Sequence, residues 1–284
     1  MAQGTLLLSP HSDDAVMSTF GILKRRLLPR PVTLLTVFTV TSYFARFGRA
    51  RPNLQVLGNL LPRPAEVFRS IRRNAGRFGT NPWGIARKLI DIEEPYKITR
   101  IRLLEDESFS RRMRVEFRYF SIPDSQARYG RPIMDPAWPL ADEAKLLGEV
   151  QRSVEDLTSR LTVQAIAVPW PYGSRQHVDH RIANEVATQT AERVGVKLYY
   201  LDDQPYSRRP LLPTTNDRGH HYTPQLVSLN RHEMQMKVKA MELYWSQMIP
   251  EYLSAVAEPP PGAPEQRYSE TLWLPSQNGG SVSG

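Results

Sequence analysis

Two short apolar runs, Thr5–Pro10 and Val32–Val40, flank a stretch in which apolar residues recur with a helical period. This strand–helix–strand pattern constrains the fold more than any other feature of the chain. Thr5-Leu-Leu-Leu-Ser-Pro10 is almost continuously apolar and stops at a proline, as a strand buried on both faces does. Val16, Phe20, Leu23 and Leu27 follow at i, i+4, i+7 and i+11, the stripe of a helix opening near Asp14. Pro29-Arg30-Pro31 ends that helix, and Val32–Val40 is β-branched and apolar.

The alternation resumes further on. Helices are expected at Ile101–Arg112, Asp142–Ser159, within His177–Val194 and at Arg231–Met248. Strands are expected at Glu116–Ile122, Val163–Val168 and Lys197–Leu201, with loops at 128–140 and 207–225. Such an order implies a mainly parallel sheet with helices on both faces. Functional sites in these sheets form at the carboxyl ends of strands. Two loops qualify, Ser9–Asp14 and Pro169–His180.

Those loops hold three of the six histidines. The first reads His11-Ser-Asp-Asp14 and the second His177-Val-Asp-His180. The chain has no cysteine, so disulfides and thiolate metal sites are excluded. Two neutral imidazoles and a carboxylate suit a catalytic zinc site with a position open to water. Two adjacent acids offer one ligand and one general base, in either assignment. His220-His221 lies in a loop that is either a solvated turn or a border of the substrate pocket, and His232, at a helix start, is expected to be exposed.

The net charge is +8. Residues 41–100 hold twelve basic residues against four acids, which equals the whole imbalance. Prolines interrupt this segment, and it reads as a basic insertion with short helices around Ala65–Arg77 and Gly84–Ile92. No nucleic-acid motif accompanies the charge, so no nucleic acid is expected as a partner. No run is long enough for a membrane span, and no signal peptide is visible, so a cytoplasmic soluble protein is expected. The oligomeric state has no signature.

The two motifs resemble the signatures of the LmbE-like, or PIG-L, N-acetylglucosaminyl deacetylases. Ser9-Pro-His-Ser-Asp-Asp-Ala15 is similar to a branch of the family reading Ser-Pro-His-Leu-Asp-Asp-Ala, and lacks the Pro and final Glu of the commoner His-Pro-Asp-Asp-Glu form. His177-Val-Asp-His180-Arg181 resembles the second signature. Arg102-Leu-Leu-Glu105-Asp106, Pro123-Asp124, Tyr200–Tyr206, Lys237–Ala240 and Tyr244–Gln247 resemble further family segments in the right order.

The resemblance implies a Rossmann-like α/β fold and a single deacetylase domain over residues 1–257, while the tail at 258–284, rich in Pro, Gly and Ser, is expected to be mobile. It implies a hydrolase that removes an N-acetyl group from an amino-sugar-containing small molecule. His11, Asp14 and His180 would ligate Zn2+, or another divalent ion such as Fe2+. Asp13 would be the general base, and His177 would stabilise the oxyanion or protonate the leaving amine. Asp179 would orient His177 and raise its pKa, while Arg102 and Asp124 would contact the sugar. The alternatives are an amidase on another glycosyl conjugate and a non-catalytic basic metal-binding protein.

Overall fold

A computed structural model describes residues 4–41, 95–170, 177–204, 214–216, 218–244, 246–248 and 269–276. The short helices expected within the basic segment lie outside the described residues. Seven strands form one sheet: β1 (Gly4–Ser9), β2 (Val32–Val40), β3 (Glu116–Pro123), β4 (Val163–Pro169), β5 (Lys197–Leu201), β6 (Tyr222–Ser228) and β7 (Ser269–Pro275). Their order is β3-β2-β1-β4-β5-β7-β6. The first five are parallel, and β7 runs antiparallel to both β5 and β6.

Helices cover both faces, as the alternation of elements implies. On one face lie α1 (Asp14–Lys24), α2 (Pro95–Met113) and α6 (Arg231–Met241), packed on Leu7, Leu34 and Ala167. On the other lie α4 (Ala144–Arg160) and α5 (Val178–Val194), packed on Leu6, Leu8, Ile166 and Val168. Consecutive strand residues thus enter opposite cores, which is why β1 shows no polar alternation in sequence. A five-residue helix, α3 (Ser125–Tyr129), follows β3 directly, at the edge of a segment expected to be loop.

Four expectations change. The helix after the basic segment begins at Pro95 rather than Ile101. The helix at Arg231 ends at Met241 and passes into a 3-10 turn at Glu242–Tyr244. Buried Glu105 explains the bend beyond it, because its carboxylate accepts from the Ser246 N–H at 2.9 Å and the Ser246 hydroxyl at 2.7 Å. Finally, the tail is not mobile throughout, since Ser269–Pro275 forms β7 inside the sheet, and β6 occupies part of the segment read as a loop.

Tertiary contacts hold β7 in place. Trp273 stacks on Trp170 with centroids 4.7 Å apart, and Tyr200 and Tyr222 pack edge-on around Trp170. Glu270 is fully buried and accepts from Lys237 Nζ at 2.8 Å. Its other oxygen accepts from the Gly21 and Ile22 N–H groups of α1, at 2.8 and 3.1 Å. Only glycine permits this approach, because a Cβ at position 21 would stand 2.5 Å from Leu229 Cδ2 and 3.2 Å from the Glu270 carboxylate.

Candidate active site

β1 lies between β2 and β4, and the chain leaves it toward opposite edges of the sheet. The carboxyl ends of β1 and β4 therefore flank the topological switch point, where such sheets bind ligands. His11, Asp13 and Asp14 follow β1, and His177 to His180 open α5 after β4.

Asp14 joins the two motifs. Its Oδ2 accepts from the His11 backbone N–H at 2.8 Å, and lies 3.4 Å from His11 Nδ1 and 3.3 Å from His180 Nε2. Bonds of about 2.0–2.1 Å in a tetrahedral site place ligand atoms about 3.3–3.4 Å apart, so these two separations fit one divalent ion. The ligand atoms of His11, Asp14 and His180 all lie within 4.8 Å of one another. A second trio, His11, His177 and Asp179, meets the same limit. It shares His11, and its Asp179 also accepts from Ser125 and Arg128.

Each imidazole of the first trio has its remaining nitrogen on a carboxylate. His11 Nε2 lies 3.0 Å from Asp179 Oδ2, and His180 Nδ1 lies 3.1 Å from Asp203 Oδ2. Such partners fix the tautomer and ring orientation of a metal-binding histidine. Asp203 follows β5 at the same sheet edge. An Asp203→Asn variant is expected to lower divalent-metal affinity about 10- to 100-fold with little loss of folding, measured by chelator competition. Unchanged affinity would remove Asp203 from the site.

Asp179 is fully buried and collects three donors. Besides His11 it accepts from the Ser125 N–H at 2.8 Å and from Arg128 Nη2 at 2.8 Å. Arg128 also lies 3.7 Å from Glu143 and covers Phe38. Sequence reading passed over Arg128 because it sits at the border of an expected loop. The available signal was the Pro123-Asp124 strand end, where Asp124 caps α3 by accepting from the Ala127 N–H at 2.7 Å.

Asp179 pulls the His177 pKa upward, as expected, but the net shift is downward. His177 caps α5, and its Nδ1 accepts from the Asp179 backbone N–H at 3.3 Å, while the Asp179 carboxylate faces His11. Burial, with His11 and His180 close by, holds His177 down at about 3. It is therefore neutral, and an Nδ1 acceptor leaves the proton on Nε2. His11 and His180 move the other way. Burial alone would lower both, but carboxylates outweigh it: Asp14 and Asp179 for His11, Asp14 and Asp203 for His180.

The adjacent acids are pushed apart. Burial and the charge of Asp14 raise Asp13, against the pull of Arg102 and His11. Burial would raise Asp14 too, but His180 and His11 prevail and lower it. Asp13 occupies the N-cap position of α1, yet its side chain makes no capping bond. Its carboxylate is thus not consumed by the helix. Arg102 and Asp124, the expected sugar contacts, are only 4% and 5% exposed. Arg102 lies in the field of Asp13 and Glu105, and Asp124 caps the helix carrying Arg128. His221 bonds Thr215 at 3.1 Å, away from this cluster.

A His/Asp/His cluster that could hold a divalent ion, at the switch point of a parallel α/β sheet and with a further carboxylate beside it, is the donor set of metal-dependent hydrolases. Residues 6–191 match the PIG-L family of GlcNAc-PI de-N-acetylases, and the chain belongs to that family.

Solved structures share its fold. A triple mutant of a deacetylase from the teicoplanin biosynthetic pathway is 20% identical with a TM-score of 0.61, covering 97% of this chain and 100% of its own. The zinc-inhibited form of teicoplanin deacetylase Orf2 is 19% identical with a TM-score of 0.60, covering 96% and 99%. The N,N'-diacetylchitobiose deacetylase from Pyrococcus horikoshii is 15% identical with a TM-score of 0.52, covering 96% and 84%. No curated protein matches the sequence. Among the described residues, no helix is long and apolar enough to cross a membrane.

Proposed function

We propose that this protein hydrolyses an N-acetyl group on an amino sugar, with a divalent ion held by His11, Asp14 and His180. The observation that carries the mechanism is the Asp13 carboxylate, raised in pKa and unspent in capping, one residue from Asp14. The family and its structural neighbours, which include teicoplanin and chitobiose deacetylases, support the substrate class. A bound ion supplies Lewis acidity for the amide carbonyl and acidifies water at neutral pH.

The protein's own residues supply the rest. Asp13 accepts the proton of the attacking water, a task suited to a carboxylate whose pKa is drawn toward neutrality. Neutral His177 donates its Nε2–H to the oxyanion, in preference to protonating the amine, because its basicity is suppressed. Asp179, locked by Arg128 and Ser125, orients His11, and Asp203 orients His180. Asp13 then returns the proton it took from water to the nitrogen, and the C–N bond breaks, giving acetate and a free amine.

The direct test is a panel of N-acetylated amino sugars, assayed for both products on metal-free protein reloaded with Zn2+, Fe2+, Mn2+ or Co2+. Nitrogen and carboxylate donors accept all four ions. Equimolar acetate and amine, dependent on one added ion, is the expected result. Release of an acid larger than acetate would make the protein an amidase on another glycosyl conjugate. No turnover with any ion would leave a non-catalytic metal-binding protein.

A further inference from the structure

A cavity of about 180 Å3 lies at the opposite end of α1 from the His11–Asp14 loop. Its rim is formed by Lys24, Arg26, Arg30, Arg112 and Arg114. These residues sit where α1 and α2 end and where β2 and β3 are about to begin. The eleven residues of α1 separate this rim from Asp14 by about 15 Å. Phe20, Leu23 and Met113 supply a buried apolar floor.

Three observations set the rim apart from ordinary surface charge. First, among the described residues none of its five cations meets a carboxylate within ion-pair distance. The neighbouring acids are taken by arginines outside the cavity: Glu233 by Arg25 at 2.8 Å and Glu107 by Arg111 at 2.6 Å. Lys24 feels Glu233 only at longer range and touches Met236 Sδ.

Second, Arg30 is fixed across the cavity. It donates to the Leu23 carbonyl at 3.0 Å and the Arg114 carbonyl at 3.3 Å, and its buried Nε has no acceptor. Third, Arg26 and Arg114 have φ of 56° and 55°. Both stand just past a helix end in the left-handed region, where glycine is the ordinary residue. The helix dipole explains cations near a carboxyl terminus, but it does not require them in that strained conformation.

We infer that this cavity is a second ligand site that takes a phosphate group, either free or carried on a small apolar body. Its volume suits a head group and falls short of the roughly 300–1,000 Å3 that encloses a whole drug-sized ligand. A phosphate dianion offers three acceptor oxygens and can engage several guanidinium forks, whereas a carboxylate is satisfied by one. The apolar floor would receive the carbon chain of a phosphate monoester. This site is independent of the deacetylation reading.

The test uses the full, metal-loaded chain, with inorganic phosphate, hexyl phosphate and chloride at matched ionic strength. Calorimetry and thermal shift should show saturable binding of both phosphates and none of chloride. Tighter binding of hexyl phosphate identifies a phosphate on an apolar body, and equal binding identifies free phosphate. The paired variant Arg26→Gly/Arg114→Gly should melt higher without ligand, since glycine accepts the left-handed φ. It should also bind phosphate at least about tenfold more weakly, as loss of charged hydrogen bonds requires. Arg112→Gln, which changes no strained position, should weaken binding roughly tenfold by itself.

An equal shift from chloride, or affinity within twofold of wild type in both variants, would overturn the site. A lower melting temperature with unchanged affinity would show that the arginines are structural and would overturn it too.

Discussion

Asp13→Asn should lower kcat by about 10²–10⁴-fold while metal content and folding stay at wild-type levels. The variant keeps the shape of the side chain and removes its ability to accept a proton. Because the Asp13 side chain makes no capping bond, α1 loses nothing by the exchange. Asp14→Asn should behave in the opposite sense. Asp14 Oδ2 faces both His11 and His180, so its loss should release the metal and activity with it. The pair is decided by measuring metal content and kcat together for both variants. Metal loss in Asp13→Asn with retention in Asp14→Asn would reverse the roles. Full activity in both would end the proposed mechanism.

Glu270→Ala should destabilise the protein by about 3–5 kcal/mol, read from urea unfolding. It strands Lys237, which is only 1% exposed, and removes the acceptor of the Gly21 and Ile22 N–H groups. A typical domain has only about 5–15 kcal/mol in total, so this variant should melt near working temperature. Replacing both members, Lys237→Met with Glu270→Met, should cost less than the sum of the single replacements, because no buried charge is left alone. A loss below about 1 kcal/mol in Glu270→Ala would show that the pair is solvated or replaceable.

The parallel half of the sheet and the two loops at its switch point were legible because local patterns decide them. Continuous apolar runs mark β1, β2 and β4, and the strand-end rule then singles out His11–Asp14 and His177–His180. The strand β7 was hidden for a physical reason. Its flanks are rich in Pro, Gly and Ser, and it is held by Trp170, Lys237 and α1, all remote in sequence. Arg128 was hidden likewise, since its partner Asp179 is remote in sequence. The pull of Asp179 on His177 was legible, but the burial and the His11 and His180 charges that outweigh it come from residues brought together only by the fold. The Asp179 backbone N–H reached His177, while the carboxylate turned to His11.

The spread of the trio along the chain has a thermodynamic consequence. Asp14 and His180 are far apart in sequence and come together only when β1 and β4 are paired. An unfolded chain offers no such arrangement, so an ion binding there acts as a reversible staple across the sheet. Its affinity then adds to the folding free energy: at a free-ion concentration of 100 Kd the gain is about 2.7 kcal/mol. The melting temperature should therefore rise with metal activity and fall on chelation, and it should stay flat for His180→Ala. Metal supply would then set both how fast the protein works and how long each molecule stays folded.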